Sequence, residues 1–176
     1  MKAFKFKSAI PFLVLIAIAI AAVFVPTLPN FDNGKYNTAD MAWMLVATAL
    51  VFLMTPGLAF FYGGMVHRKN VLSTMMKSVV AAGVVGVLWI VVGYSLAFGK
   101  TVNGWGVIGN PSTHLFFKGV ASGEPWVGAP TIPKSLFSVF QLMFAIITPG
   151  LVVGAIAERM RFVSYVLFTV LFSLLV

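Results

Sequence analysis

Phe137, Phe140 and Phe144 recur within one apolar stretch at spacings of three, four and seven residues, with Gln141 and Thr148 beside them. At helical spacing these side chains share one side of a helix. Aromatic faces attract a partly desolvated cation by about 1 to 2 kcal/mol, and closely set rings can also gate water. A glutamine deep in such a stretch costs free energy unless it finds a partner or faces a hydrated cavity. Two readings follow: a lining for a polar or cationic path, or an aromatic stripe against lipid or core, the ordinary use of phenylalanine in a chain with 17 of them.

Thr55-Pro56-Gly57-Leu58 and Thr148-Pro149-Gly150-Leu151 repeat one motif in two different apolar stretches. Each proline removes an N–H and frees a carbonyl, that of Phe52 or Ala145, which in lipid needs a hydroxyl, a water or a neighbouring helix. Thr55 and Thr148 are placed to help, so the motif reads either as a kinked packing helix or as a locally opened helix beside a polar path. Gly150 with Gly154, Ala59 with Gly63, and Gly83, Gly86 and Gly93 read as close-packing positions in a tight helix bundle. His67 and His114 fall outside the apolar stretches and read as surface histidines. No nucleophile–base pair, phosphate loop or dinucleotide fingerprint is present, and the acids do not cluster, so no enzymatic apparatus and no cofactor are expected. With no cysteine and two histidines, a metal site is not expected either.

These residues must be positioned by membrane helices. Of 176 residues, 60% are hydrophobic and 9% charged, against roughly 45 to 50% apolar usage in soluble domains. The mean hydropathy is +1.02. One water-facing domain of this size cannot bury that much apolar surface, so the lipid bilayer must solvate the remainder. The expected fold class is all-α, a polytopic transmembrane helix bundle. Residues 1–29, with Lys2, Lys5 and Lys7 ahead of an apolar run ending at Pro26, resemble a signal peptide or an uncleaved N-terminal anchor. Residues 30–176 form the transmembrane domain, with spans at about 41–64, 73–98, 135–157 and from 162 onward, and an ordered loop over 99–134. Asn37 to Asp40 supply capping oxygens and an acid for the first span. Lys77, in the first turn of the second, is expected to reach back to the headgroups.

The 12 Lys and Arg against four Asp and Glu give a formal charge of +8, but the cations sit at the ends of apolar runs, a pattern that orients spans and does not read nucleic acid. With the N-terminus cytoplasmic, eight basic residues fall inside and Lys35, Lys100, Lys118 and Lys134 fall outside. Residues 30–40 and 99–134 are then outside, and 65–72 and 158–161 cytoplasmic. The fourth span is short for a bilayer at Val176, and the sequence is expected to be the N-terminal fragment of something longer.

The run Asn37 to Leu45, then Met54-Thr55-Pro56-Gly57-Leu58-Ala59-Phe60-Phe61-Tyr62-Gly63-Gly64 and Arg68-Lys69-Asn70-Val71-Leu72-Ser73, resembles the opening of the ammonium transporters. Trp89, Gly93 to Gly99, Phe140-Gln141-Leu142-Met143-Phe144-Ala145 and Gly154-Ala155-Ile156-Ala157-Glu158-Arg159-Met160-Arg161-Phe162 continue it in order. The resemblance implies the first part of a fold of about eleven helices in two inverted halves, assembled as a homotrimer in the cell (inner or plasma) membrane, each protomer with its own hydrophobic pore. It implies ammonium and ammonia as the transported species, recruited at an outer aromatic site and deprotonated before crossing. Phe140 falls on the vestibule-side phenylalanine of that pattern and Phe144 on the phenylalanine of the cation site and gate; Gln141 and Thr148 stay pore-lining or structural polar residues. It also implies that the remaining outer-site residues and the pore histidines lie beyond Val176, and that a PII-type signalling protein is a partner of the full-length form. A non-transporting membrane sensor or structural subunit of the same fold is the alternative.

Overall fold

The computed structural model describes residues 36–104, 106–121 and 124–175. The segment read as a signal peptide or anchor, and Trp105 in the loop, lie outside the described residues. Helix α1 runs Thr38–Met65 and starts where the Asn37 side chain accepts the Ala39 N–H at 2.9 Å, with Asp40 in the first turn against the positive end of the helix dipole. It continues through Pro56 without a break in assignment. A 3-10 turn, Arg68–Asn70, leads into α2, Val71–Leu88.

Helix α2 widens into a π-helical turn, Trp89–Gly93, in which the Tyr94 N–H reaches the Trp89 carbonyl, and then closes as α3, Tyr94–Phe98. Gly93 fits here because a Cβ would meet the Trp89 ring at 3.3 Å and the Leu88 carbonyl at 3.4 Å. The rest of the helical framework is α4, Lys134–Ile156, and α5, Phe162–Leu175. Arg68–Phe98, α1 and α4 are each long and apolar enough to cross a membrane; α5 is shorter. Helix α2 sits centrally and packs on α1, α4 and α5, while α1 also lies along α4.

The connection from 99 to 133 is folded. It holds 3-10 turns at Val102–Gly104, Pro111–Thr113 and Leu115–Phe117 and an antiparallel hairpin, β1 (Pro125–Trp126) with β2 (Ala129–Pro133). The Ser95 side chain, fully buried, organises its start: the hydroxyl is set against the Asn110 and Pro111 carbonyls at 3.0 and 2.7 Å and accepts the His114 N–H at 2.8 Å. Gly99 and Gly109 have no Cβ because one would strike the Ser95 carbonyl oxygen. The Asn37 N–H donates to the Thr131 carbonyl at 2.9 Å, so the start of α1 and the hairpin share one end of the bundle.

At the other end, the 65–72 and 157–161 turns meet. Glu158, in left-handed backbone at φ 64°, turns Oε1 toward the His67 N–H at 2.8 Å and the Asn70 side-chain amide at 3.0 Å. These bonds hold its carboxyl below the ordinary glutamate range, the Asn70 bond first and the His67 bond second. Lys77 does not reach the headgroups as its position near a span end suggests. Its residue is 4% exposed and the ammonium donates to the Met160 carbonyl at 3.2 Å, because α5 and the turn before it cover the α2 surface where the chain would snorkel.

Two apolar clusters hold the helices together. Ala81, Val153 and Tyr165 meet among α2, α4 and α5, with Tyr62, Ile156 and Met160 around them. Trp89, Tyr94 and Val120 form the second, packed by Phe98, Phe117, Leu142 and Ala145. Of the glycines read as packing positions, Gly63 meets Met75 and Gly154 lies under the Tyr62 ring, whereas a Cβ at Gly83, Gly86 or Gly150 would meet nothing within 4 Å. Small residues at helical spacing thus mark contact at some of these positions and open space at others.

Candidate functional site

Three sides of α4 face neighbouring elements, two of them in packed clusters and one across an open groove. Leu136, Val139 and Met143 face a groove shared with Leu45, Ala49 and Phe52 of α1. Leu142 and Ala145 pack on the Trp89 cluster, and Val153 on Ala81 and Tyr165. The remaining side carries Phe137, Phe140, Gln141, Phe144 and Thr148, five residues on one helical face.

Within that side the structure separates the aromatic residues. Phe137 is 9% exposed, stacked on Trp126 of the hairpin with centroids 4.7 Å apart at 19°, and edge-on to Phe98 at 5.1 Å. Gly128 lies against the indole, where a Cβ would collide with the ring. Phe137 therefore anchors the hairpin to the start of α4. Phe140 and Phe144 instead form an edge-to-face pair with centroids 5.1 Å apart at 75°, Phe140 half-buried and Phe144 42% exposed. Gln141 is half-buried, and its side chain makes no hydrogen bond among the described residues.

Thr148 is exposed, and its hydroxyl donates to the Phe144 carbonyl at 2.7 Å. It does not serve the Ala145 carbonyl freed by Pro149: of the two carbonyls a helical threonine can reach, three and four residues back, the hydroxyl takes the one four back. Thr55 differs again: its hydroxyl is buried without a hydrogen-bond partner among the described residues. The two Thr-Pro-Gly-Leu motifs are therefore used differently. Thr148 also lines a cavity of about 430 Å³ with Leu88, Trp89, Gly93, Ala145 and Phe172. Phe140, Gln141 and Phe144 stand outside that cavity, so the described residues do not gather all four site candidates into one enclosed space.

Residues 42–176 match the pattern of the Ammonium Transporter Family. The chain belongs to the ammonium transporter family. It is 47% identical over 153 residues to an ammonium transporter of Mycobacterium bovis, a match covering 80% of this chain and 32% of that one. It is 47% identical over 137 residues to an ammonium transporter of Bacillus subtilis, covering 78% and 33%. The crystal structure of Saccharomyces cerevisiae Mep2 superposes with a TM-score of 0.72 at 33% identity, over 84% of this chain and 33% of that one. A Candida albicans Mep2 mutant, delta442, gives 0.71 at 33% identity, over 84% and 35%. The chain thus spans about a third of the length of these ammonium transporters and represents the first part of the fold. With its three membrane-length helices it is a multi-pass membrane protein.

No group of three or more His, Asp, Glu or Cys residues suited to a metal occurs among the described residues. The sequence reading missed the role of His114. Its ring is not a free surface group: Nδ1 lies 2.9 Å from the Lys118 carbonyl, Nε2 lies 3.0 Å from the Lys134 ammonium, and the Tyr94 ring is 5.5 Å away. A polar residue between two punctuated loop segments carries no periodicity that would have revealed these partners.

Proposed function

We propose that this chain forms one part of a membrane pathway for ammonium and ammonia, with the open side of α4 as a wall of that pathway. The observation that carries the reading is the Phe140–Phe144 pair with Gln141 between them on a face that the packing of α1, α2 and α5 leaves uncovered. Phe140 and Phe144 present ring surface to a cation shedding water, and Gln141 presents amide dipoles beside them. Ammonium suits such a surface because it donates hydrogen bonds and can release a proton, after which neutral ammonia crosses an apolar passage that sodium and potassium cannot follow. Thr148, bonded to its own helix, is a structural polar residue at the edge of this wall.

The reading is of transport without enzymatic chemistry. It includes a homotrimer in the cell membrane, with the turns at 65–72 and 158–161 cytoplasmic because Arg68, Lys69, Arg159 and Arg161 concentrate there, and the hairpin end outside. A PII-type signalling protein as a cytoplasmic partner of the complete protein belongs to the same proposal. The test is uptake of labelled methylammonium by the native gene product in liposomes. Uptake above empty vesicles, competed by ammonium and not by potassium, is expected; its absence beside an active Bacillus subtilis transporter control refutes the reading.

A further inference from the structure

We propose that His114 is a proton-sensitive positioning residue for α4: as a neutral ring it ties the 111–118 loop to the first residue of that helix, and protonation releases the tie. The backbone of His114 is fixed first, through its N–H to the buried Ser95 hydroxyl. The ring is then held on both sides. A carbonyl only accepts, so the 2.9 Å contact between Nδ1 and Lys118 requires the proton on Nδ1. An ammonium only donates, so the 3.0 Å contact between Lys134 and Nε2 requires a lone pair there. Only the neutral Nδ1–H tautomer satisfies both partners.

Adding a proton to Nε2 sets two cationic donors face to face at that distance, and Lys134 must leave. Lys134 is the first residue of α4, directly after Pro133 of β2 and three residues before Phe137, which holds the hairpin through Trp126. The other ionisable groups around the ring favour the same outcome. Tyr94 of α3 contributes a ring face, Lys118 contributes its carbonyl with its side chain exposed, and Glu124 is the acid whose charge acts on Lys134 and can draw it away. Acid at this end of the bundle therefore loosens the loop and the first turn of α4. Under the transport reading, on which this consequence rests, that alters the mounting of Phe140 and Phe144.

Hydrogen exchange in the native gene product in nanodiscs tests the device without any ammonium, so its outcome is independent of the transport reading. The segment to follow is His114 to Val120, whose Lys118 and Val120 amides donate to the Leu115 and Phe117 carbonyls. After correction for intrinsic rates, the wild type should exchange there roughly tenfold faster at about pH 5 than at about pH 8. His114→Gln offers Lys134 a non-titrating acceptor and should show no such step. Lys134→Met, which removes the opposing charge, should lose the step as well and serves if the glutamine variant does not fold. A flat wild-type profile, or an undiminished step in either folded variant, overturns the proposal.

Discussion

The rings of Phe140 and Phe144 meet edge to face, centroids 5.1 Å apart, one helical turn from each other on the side of α4 that no described helix covers. Phe137, one turn further toward the hairpin, has the same residue type and shares the same face yet is buried by Trp126. The contrast divides one aromatic stripe into an anchor and an open pair.

The anchor makes a stability prediction. Phe137→Ala should cost about 3 to 5 kcal/mol, as buried aromatic truncations do, and should free the Trp126 indole. Gly128→Ala should also shift Trp126, because the new methyl collides with the ring. Thermal unfolding in detergent together with tryptophan fluorescence checks both; an unchanged Trp126 environment in either variant contradicts the clamp.

Gly154 gives a second, independent prediction. Tyr62 of α1 donates its hydroxyl to the Leu151 carbonyl at 2.9 Å, and its ring lies where a Cβ on Gly154 would be. Gly154→Ala should destabilise by about 1 to 3 kcal/mol through overpacking. In the Tyr62→Ala background the same substitution should cost far less, and a double-mutant cycle with no coupling would show that the two residues do not meet in this way.

The turn at Glu158 makes stability depend on pH. Its carboxyl is held below the ordinary glutamate range by Asn70 and then by His67, so the unfolded chain binds the proton more readily than the folded one. Its contribution is therefore fully present above the ordinary range, about pH 4.3, and is lost as pH falls through the lower folded value. Glu158→Gln should flatten this acid limb while leaving the unfolding temperature near neutral pH only slightly lower. An acid limb identical in wild type and variant would remove Glu158 as its source.

How much of this was legible in the sequence depends on which force set each feature. The membrane helices were, because lipid demands long uncharged runs, and Arg68-Lys69 and Glu158-Arg159 mark their ends whatever the tertiary packing. The shared face of Phe137, Phe140, Gln141, Phe144 and Thr148 follows from helical spacing alone. Burial of Phe137 does not, since it depends on a tryptophan delivered by a short hairpin inside a stretch read as loop. The Glu158 turn joins residues 91 apart, and Lys77 and Met160 are 83 apart; pairings so distant leave no local pattern. The π-turn at Trp89–Gly93 was equally hidden, inside an apolar run that reads as one continuous helix.

The reading of the open side of α4 as the cation-handling wall is decided by methylammonium uptake at matched expression in the native gene product carrying Phe144→Ala or the milder anchor change Phe137→Leu. Phe144→Ala should lower selective uptake by roughly five- to thirtyfold, the scale of losing a cation–ring contact of about 1 to 2 kcal/mol, while leaving the unfolding temperature nearly unchanged. Phe137→Leu should do the reverse, lowering stability with uptake per folded molecule preserved. Equal effects of the two substitutions on uptake per folded molecule would contradict the assignment.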